Sequence, residues 1–260
     1  ENPDWASPET MLARLESYIR DVMNFVQERY PGVVYAWDVV NEAIDGSTLR
    51  PSLWTETVGE DFVLQAFRMA AKYKAPGVSL FYNDYDTFLP EKREAICETI
   101  LKPLLAEKLV DGMGMQSHLQ LAAPSADEYR TAVRRYGTLG LQVQITELDV
   151  FSPDTSDAAM QRLAERYRDL FLLLLEEKKT GAANITGVTF WGLQDEESWL
   201  TGFRRQACRP LLFEHGYRPK AAYQAVCSVP GLAEGDLEDR LPGGDRFAFW
   251  EREQNYTRDY

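Results

Sequence analysis

The chain predicts a parallel α/β fold whose strand ends gather on one rim, and two observations carry that prediction. Short β-branched and aromatic runs alternate with amphipathic stretches along most of the sequence. That order builds right-handed strand–helix–strand units. In each of five such runs the distinctive polar or aromatic groups lie at the carboxyl end: Asn41-Glu42, Asn83 with Tyr85, Gln116 with His118, Glu147 with Asp149, and Trp191. β/α barrels and open parallel sheets place their chemistry at those ends, and convergence of all five is a barrel signature.

The elements follow in order. Ser7-Pro8-Glu9 opens a helix, with Ser as N-cap, Pro at the first position and an acid in the first turn. Leu12, Leu15, Ile19, Val22, Met23 and Val26 recur at helical spacing, and Pro31-Gly32 ends it. The strand Val33–Glu42 is apolar on both faces, as a buried parallel strand is. Asp45–Pro51 reads as a polar loop over its end, and Asp61–Tyr73 as a helix. Val78–Tyr82 is a strand ending in Asn83-Asp84-Tyr85. Pro90–Glu107 is a helix whose last turn Pro103 breaks. Gly112–Leu119 is a short strand ending in His118, Ser125–Tyr136 a helix, and Gly140–Val150 a strand that closes on Glu147. Ala158–Lys179 is a long helix, Ile185–Trp191 the last strand, and Ala221–Val226 a short helix after Pro219. Residues 1–230 thus form the barrel portion. Residues 231–260 read as a polar surface extension docked by Phe247, Phe249 and Trp250.

Composition narrows the partners. A formal net charge of −13 opposes binding to nucleic acid or an anionic membrane, either of which needs a basic face. Neutral polymers stay open, and six Trp with thirteen Tyr suit a surface that stacks on sugar rings as well as a large core. No run reaches the roughly 18 apolar residues that span a bilayer. Two histidines leave little for a zinc site, and the three cysteines show no metal spacing. Cys97 reads as a buried helix thiol. Cys208 and Cys227 would pair only in an exported protein. No signal peptide is visible, and Glu1-Asn2-Pro3-Asp4 reads as the start of a mature or cut product.

Glu42 and Glu147 close two strands far apart in sequence, and a two-carboxylate hydrolase needs such a pair. One carboxyl group donates a proton to a leaving oxygen, while the other attacks or activates water. Asn41 beside Glu42 is an amide able to fix a substrate hydroxyl. The alternatives stay open on these residues alone: Glu42 as a loop acid before the Asp45-Gly46 turn, the two strand ends as unrelated, and His118 as a satisfied core histidine.

Five segments together resemble one family. Trp37–Ala43 (WDVVNEA) is similar to the acid/base segment of family 10 glycoside hydrolases, the endo-β-1,4-xylanases, and Ile145–Val150 (ITELDV) to their nucleophile segment. Tyr82–Asp86 (YNDYD), Gly112–Leu119 (GMGMQSHL) and Phe190–Leu200 (FWGLQDEESWL) resemble their other strand-end blocks, in the family's order. The resemblance covers roughly Asp4 to Val226 and implies a (β/α)8 TIM barrel, of which only strands four to eight are present. Asn2-Pro3-Asp4-Trp5 resembles the segment just after the third strand. A separate polypeptide or an upstream segment is therefore expected to supply strands one to three, because an open five-stranded piece exposes two sheet edges.

The resemblance also implies roles. Glu42 is the general acid/base and Glu147 the nucleophile of a retaining double displacement, which requires carboxyl groups about 5–5.5 Å apart. Glu42 should hold its proton through the Glu147 charge and burial against apolar groups such as Trp191. His118 is the donor that keeps Glu147 ionised, and Asp149 orients the ring. Asn41 bonds the sugar 2-hydroxyl or is only a strand-end turn residue, Trp191 and Trp199 stack on the ring, with Trp199 equally open as a core aromatic, Asn83 and Tyr85 are leaving-side contacts, and Gln116 lines the cleft or only pairs backbone. No metal or cofactor is implied. The substrate is xylan or xylo-oligosaccharide, and a polymer too large to enter a cell implies a secreted, cell-surface or periplasmic protein. A non-catalytic β-glycan-binding remnant of such an enzyme is the alternative.

Overall fold

A computed structural model of the chain describes residues 6–232. Five parallel strands pair in sequence order into one sheet: β1 (Ala36–Asn41), β2 (Ser79–Asp84), β3 (Gly112–Met115), β4 (Gln142–Phe151) and β5 (Asn184–Phe190). Helix α1 (Pro8–Arg29) precedes β1, and α2 (Phe62–Tyr73) links β1 to β2. Next comes α3, made of Pro90–Ala95, a π-helical turn Ile96–Leu101 and Lys102–Ala106. Helices α4 (Ala126–Gly137) and α5 (Asp157–Thr180) complete the crossovers, and α6 (Ala221–Cys227) packs along α5.

Local chemistry sets the helix ends. The Ser7 hydroxyl accepts from the Thr10 amide, and Ser125 and Glu128 form a reciprocal capping box at the start of α4. Gly181 closes α5 in the left-handed conformation (φ 73°). The helix-covered face of the sheet is dry: Leu80, Tyr82, Met113, Met115, Val143 and Ile145 are each at most 1% exposed. Full burial of one such side chain stabilises by about 1.5–3 kcal/mol.

The concave side differs. Phe81 and Asn83 point across β3, whose glycines make room for them. A Cβ on Gly112 would lie 2.1 Å from the Phe81 ring, and one on Gly114 would lie 2.4 Å from Asn83 Oδ1. Toward the two edges this face opens. Among the described residues no strand pairs with the outer side of β1 or β5, and β1 leaves Asp38 and Asn41 exposed. The architecture is thus a partial β/α barrel, five adjacent strands with their helices.

Several boundaries differ from the sequence reading. Val33 and Tyr35 are about two-thirds exposed and precede β1. Pairing with β2 begins at Ala36, in register with Ser79, so those residues lie ahead of the ladder. Asp45–Pro51 holds a small hairpin, Ile44–Asp45 against Thr48–Leu49. Pro103 ends nothing, because the π-helical turn just before it lets the helix run on to Ala106. Ser117, at φ +64°, breaks the third strand after Met115, and His118–Gln120 resumes as a short strand beside β4. β4 therefore continues past Glu147 to Phe151, paired with that strand. Cys97, Cys208 and Cys227 are all free thiols. The expected start of the chain and the docking aromatics Phe247, Phe249 and Trp250 lie outside the described residues.

Candidate active site

Backbone pairing brings the strand ends into one row. Asn41 is in register with Asn83, and Asn83 with Gly114. The Glu42 amide donates to the Asn83 carbonyl (2.9 Å), and the Glu147 amide to the Gln116 carbonyl (3.0 Å). Two carboxylates on different strands thereby share one rim.

Glu147 is held at both oxygens. Oε1 accepts from Asn83 Nδ2 (2.9 Å) and Oε2 meets His118 Nε2 (3.2 Å), with the side chain 12% exposed. The Asn83 amide cannot flip, because its Oδ1 accepts from Thr146 Oγ1 at 2.6 Å. His118 Nδ1 faces Asp149 Oδ1 at 3.0 Å, and the fully buried Asp149 accepts at its other oxygen from Trp199 Nε1 (2.9 Å). Burial opposes charge on the His118 ring. Asp149 and then Glu147 outweigh it and raise the imidazole to about 9. At neutral pH the ring is an imidazolium, and both of its N–H groups donate to carboxylates.

Glu42 sits in a looser corner. Its φ of +59° is unusual for a residue with a side chain and places the carboxyl at a sharp turn off β1. Oε1 accepts from Gln116 Nε2 (3.0 Å), Arg50 Nη2 lies 3.5 Å from Oε2, and the side chain is 36% exposed. Gln116 Nε2 and Asn83 Nδ2 both donate to Asn41 Oδ1, each at 3.0 Å. Asn41 is thereby oriented with its own Nδ2 left to donate to a ligand. One chain of side-chain hydrogen bonds runs from Glu147 through Asn83, Asn41 and Gln116 to Glu42.

The glycosyl hydrolase family 10 model matches residues 1–229 of this chain. The chain belongs to that family. It is 51% identical to endo-1,4-beta-xylanase B of Butyrivibrio fibrisolvens, over all of this chain and 44% of that protein. It is 40% identical to an endo-1,4-beta-xylanase of Geobacillus stearothermophilus over 85% of this chain and 69% of that one. Among solved structures, xylanase XynB of Paenibacillus barcinonensis superposes with a TM-score of 0.77 at 37% identity, covering 85% of this chain and 69% of its own. Xylanase 10B of Thermotoga maritima does so with 0.79 at 33% identity, covering 86% and 68%. The chain spans less than half the length of the Butyrivibrio relative.

Within this family 10 chain the residues picked from sequence do meet, though not all in the roles expected. Glu42, Glu147, His118, Asp149, Asn41 and Trp199 join one network. Asn83 and Gln116 are 2% and 1% exposed, so they carry the carboxylates and Asn41 rather than contact a leaving group or line a cleft. Glu42 lacks the expected burial, and Trp191 is 47% exposed. Tyr85 is half-buried beside Glu42's neighbours, its hydroxyl accepting from Arg50 Nη2 at 2.9 Å. Trp199 packs edge-on to His118 with ring centroids 4.9 Å apart.

Sequence reasoning missed three groups. Arg50 was one, although the Asp45-Gly46 turn is the signal that the chain doubles back there. Asp38 was another. It is reachable by solvent from the open concave face but walled by protein, and that crowding, then the Glu147 charge, raise its carboxyl to about 6. The third is the buried set Tyr82, Asp84 and Lys92 under the Glu42 turn. There burial raises Asp84 and lowers Lys92 while they pair at 2.7 Å.

Proposed function

We propose that the chain carries the catalytic half of a retaining endo-β-1,4-xylanase acting on the xylan backbone. Glu147 attacks the anomeric carbon while Glu42 gives its proton to the leaving oxygen. Glu42, now a base, then takes a proton from the water that releases the glycosyl-enzyme. The observation that carries this reading is the hydrogen-bonded run linking Glu147 to Glu42 through Asn83, Asn41 and Gln116. Such a run fixes two carboxylates relative to each other, as a double displacement requires. The relatives' names, and a family structure of Clostridium thermocellum complexed with xylohexaose, agree with xylan as the substrate. Asn41 Nδ2 is the donor for the sugar 2-hydroxyl, and the half-exposed Trp191 and Trp199 are the stacking surfaces.

Strands one to three come from an upstream segment or a second polypeptide. The unpaired outer sides of β1 and β5 and the open concave face support this, as does the partial coverage of the relatives. The protein acts outside the cytoplasm, where a polymeric substrate is found. The test is release of reducing sugar from xylan by the chain alone and with the missing strands added, with Glu147→Ala beside each. Activity lost in the variant supports the reading. Wild-type inactivity with the barrel complete, together with retained xylan binding, would favour a binding remnant, the reading that the open concave face suits.

A further inference from the structure

The negative charge in a retaining reaction does not stay on one carboxylate. In the first step the Glu147 oxygen forms a bond to the anomeric carbon and its charge is consumed. The bond from that carbon to the leaving oxygen breaks, the Glu42 proton moves to that oxygen, and Glu42 becomes the carboxylate. In the second step the water oxygen bonds to the anomeric carbon as that carbon's bond to Glu147 breaks, Glu42 takes the water's proton, and the charge returns to Glu147. Each resting place of that charge has a cation of its own. His118 faces Glu147, and Arg50 faces Glu42; among the described residues Arg50 is the one cation within 4 Å of the Glu42 carboxyl.

Arg50 is delivered there by construction. The hairpin pairs Ile44 with Leu49 and Asp45 with Thr48, so Arg50 returns opposite Ala43 and its amide donates to the Ala43 carbonyl at 2.8 Å. The same Nη2 that faces Glu42 is held by the Tyr85 hydroxyl, to which it donates (2.9 Å). The Tyr85 ring is fixed in turn by the Lys92 ammonium, 3.1 Å from the ring centroid, and Lys92 is paired with Asp84. Asp84 also accepts from the Tyr82 hydroxyl (2.5 Å), which accepts from the Ala43 amide (3.0 Å). The two residues after Glu42 and the cation in front of it are thus clamped by one buried set. A guanidinium with two neighbours to hold it costs little to keep in place.

We propose that Arg50 is a positioning residue for Glu42, compensating the carboxylate that forms when Glu42 gives up its proton. This rests on the acid/base reading of Glu42. Arg50 assists departure of a poor leaving group and matters little where no proton is needed.

The test uses the complete barrel and kcat/KM, which reports the first irreversible step. The substrates are xylan and a dinitrophenyl β-xylobioside, whose leaving group departs unprotonated. Arg50→Met should lower kcat/KM on xylan by about 10- to 100-fold, the worth of one charge-assisted contact, and on the aryl substrate by less than about 3-fold. Arg50→Lys, which keeps the charge but loses the fork, should recover part of the xylan rate. In a Glu42→Ala background Arg50→Met should cost nothing further on xylan, because a residue acting through Glu42 has nothing left to act on. Equal losses on both substrates, as from a disturbed fold, would overturn the proposal. So would no loss on either, or an undiminished loss in the Glu42→Ala background. A wild-type barrel that fails to hydrolyse xylan would instead break the reading of the site, and the role of Arg50 with it.

Discussion

The two corners of the rim are built to different standards. Around Glu147 every polar group is spoken for: Asn83 is locked by Thr146, His118 by Asp149, and Asp149 by Trp199, all beneath a side chain 12% exposed. Around Glu42 the carboxyl is 36% exposed, rests on one amide and one guanidinium, and hangs from a backbone in the left-handed region. The difference follows the chemistry. A nucleophile must keep one charge state and one position, and a cage of donors supplies both. A general acid/base must exchange its proton with water at every turnover, and a sealed cage would forbid it. On the proposed roles, precision is concentrated where the covalent bond would form, and access where the proton would move.

That contrast predicts unequal losses. Glu147→Ala should lower xylan hydrolysis by at least about 10⁴-fold, since nothing else in the cage can attack. Glu42→Ala should cost about 10²–10⁴-fold, the range for a general acid. Steady-state rates on xylan decide it, and a larger loss at Glu42 would break the comparison. Next in size is Gly114→Ala. The added Cβ would meet Asn83 Oδ1 at 2.4 Å on a side chain held by Thr146, so Asn83 must move and take Glu147 Oε1 with it. A displacement near 1 Å costs about 10²-fold. The loss should appear in kcat, with KM for xylo-oligosaccharides little changed.

Much of the rim was legible in the sequence, because each strand end announces itself: an apolar run stops and an acid or amide follows. Which of those groups touch ligand was not. Tyr82-Asn83-Asp84 offers three polar-capable residues in a row, and only the sheet shows that Asn83 faces the concave side while Tyr82 and Asp84 turn under the helices. Gly114 was the available clue, since a glycine in a strand marks a close approach of something. The break at Ser117 was hidden because serine has no preference for positive φ. Trp199 was read from sequence as a cleft aromatic, but its indole N–H on Asp149 links residues 50 apart that no local pattern joins. The start of β1 was misread for a related reason: the Val-rich run from Val33 states what the strand is suited to pack against, not where its pairing begins.

The smallest effect concerns the cage alone and is read in stability rather than rate. His118 moves from an ordinary 6.5 to about 9 in the folded chain. The folded state therefore holds a proton that the unfolded state releases between those values. Its stabilisation is fully present below pH 6.5 and is lost as pH rises through 9, an effect of about 3 kcal/mol. Urea unfolding of the wild-type barrel should accordingly show a free energy that falls over that window, whereas His118→Asn should be flat across it. Cys97 does not obscure the result, because burial pushes its thiol up to about 11 from 9.0 and its contribution declines only above the window. Glu42 supplies the control: Glu42→Gln changes the exposed corner and should leave the slope intact. A wild-type curve without a slope, or a slope that survives in His118→Asn, would mean that the imidazolium between Glu147 and Asp149 is not what seals the nucleophile's corner.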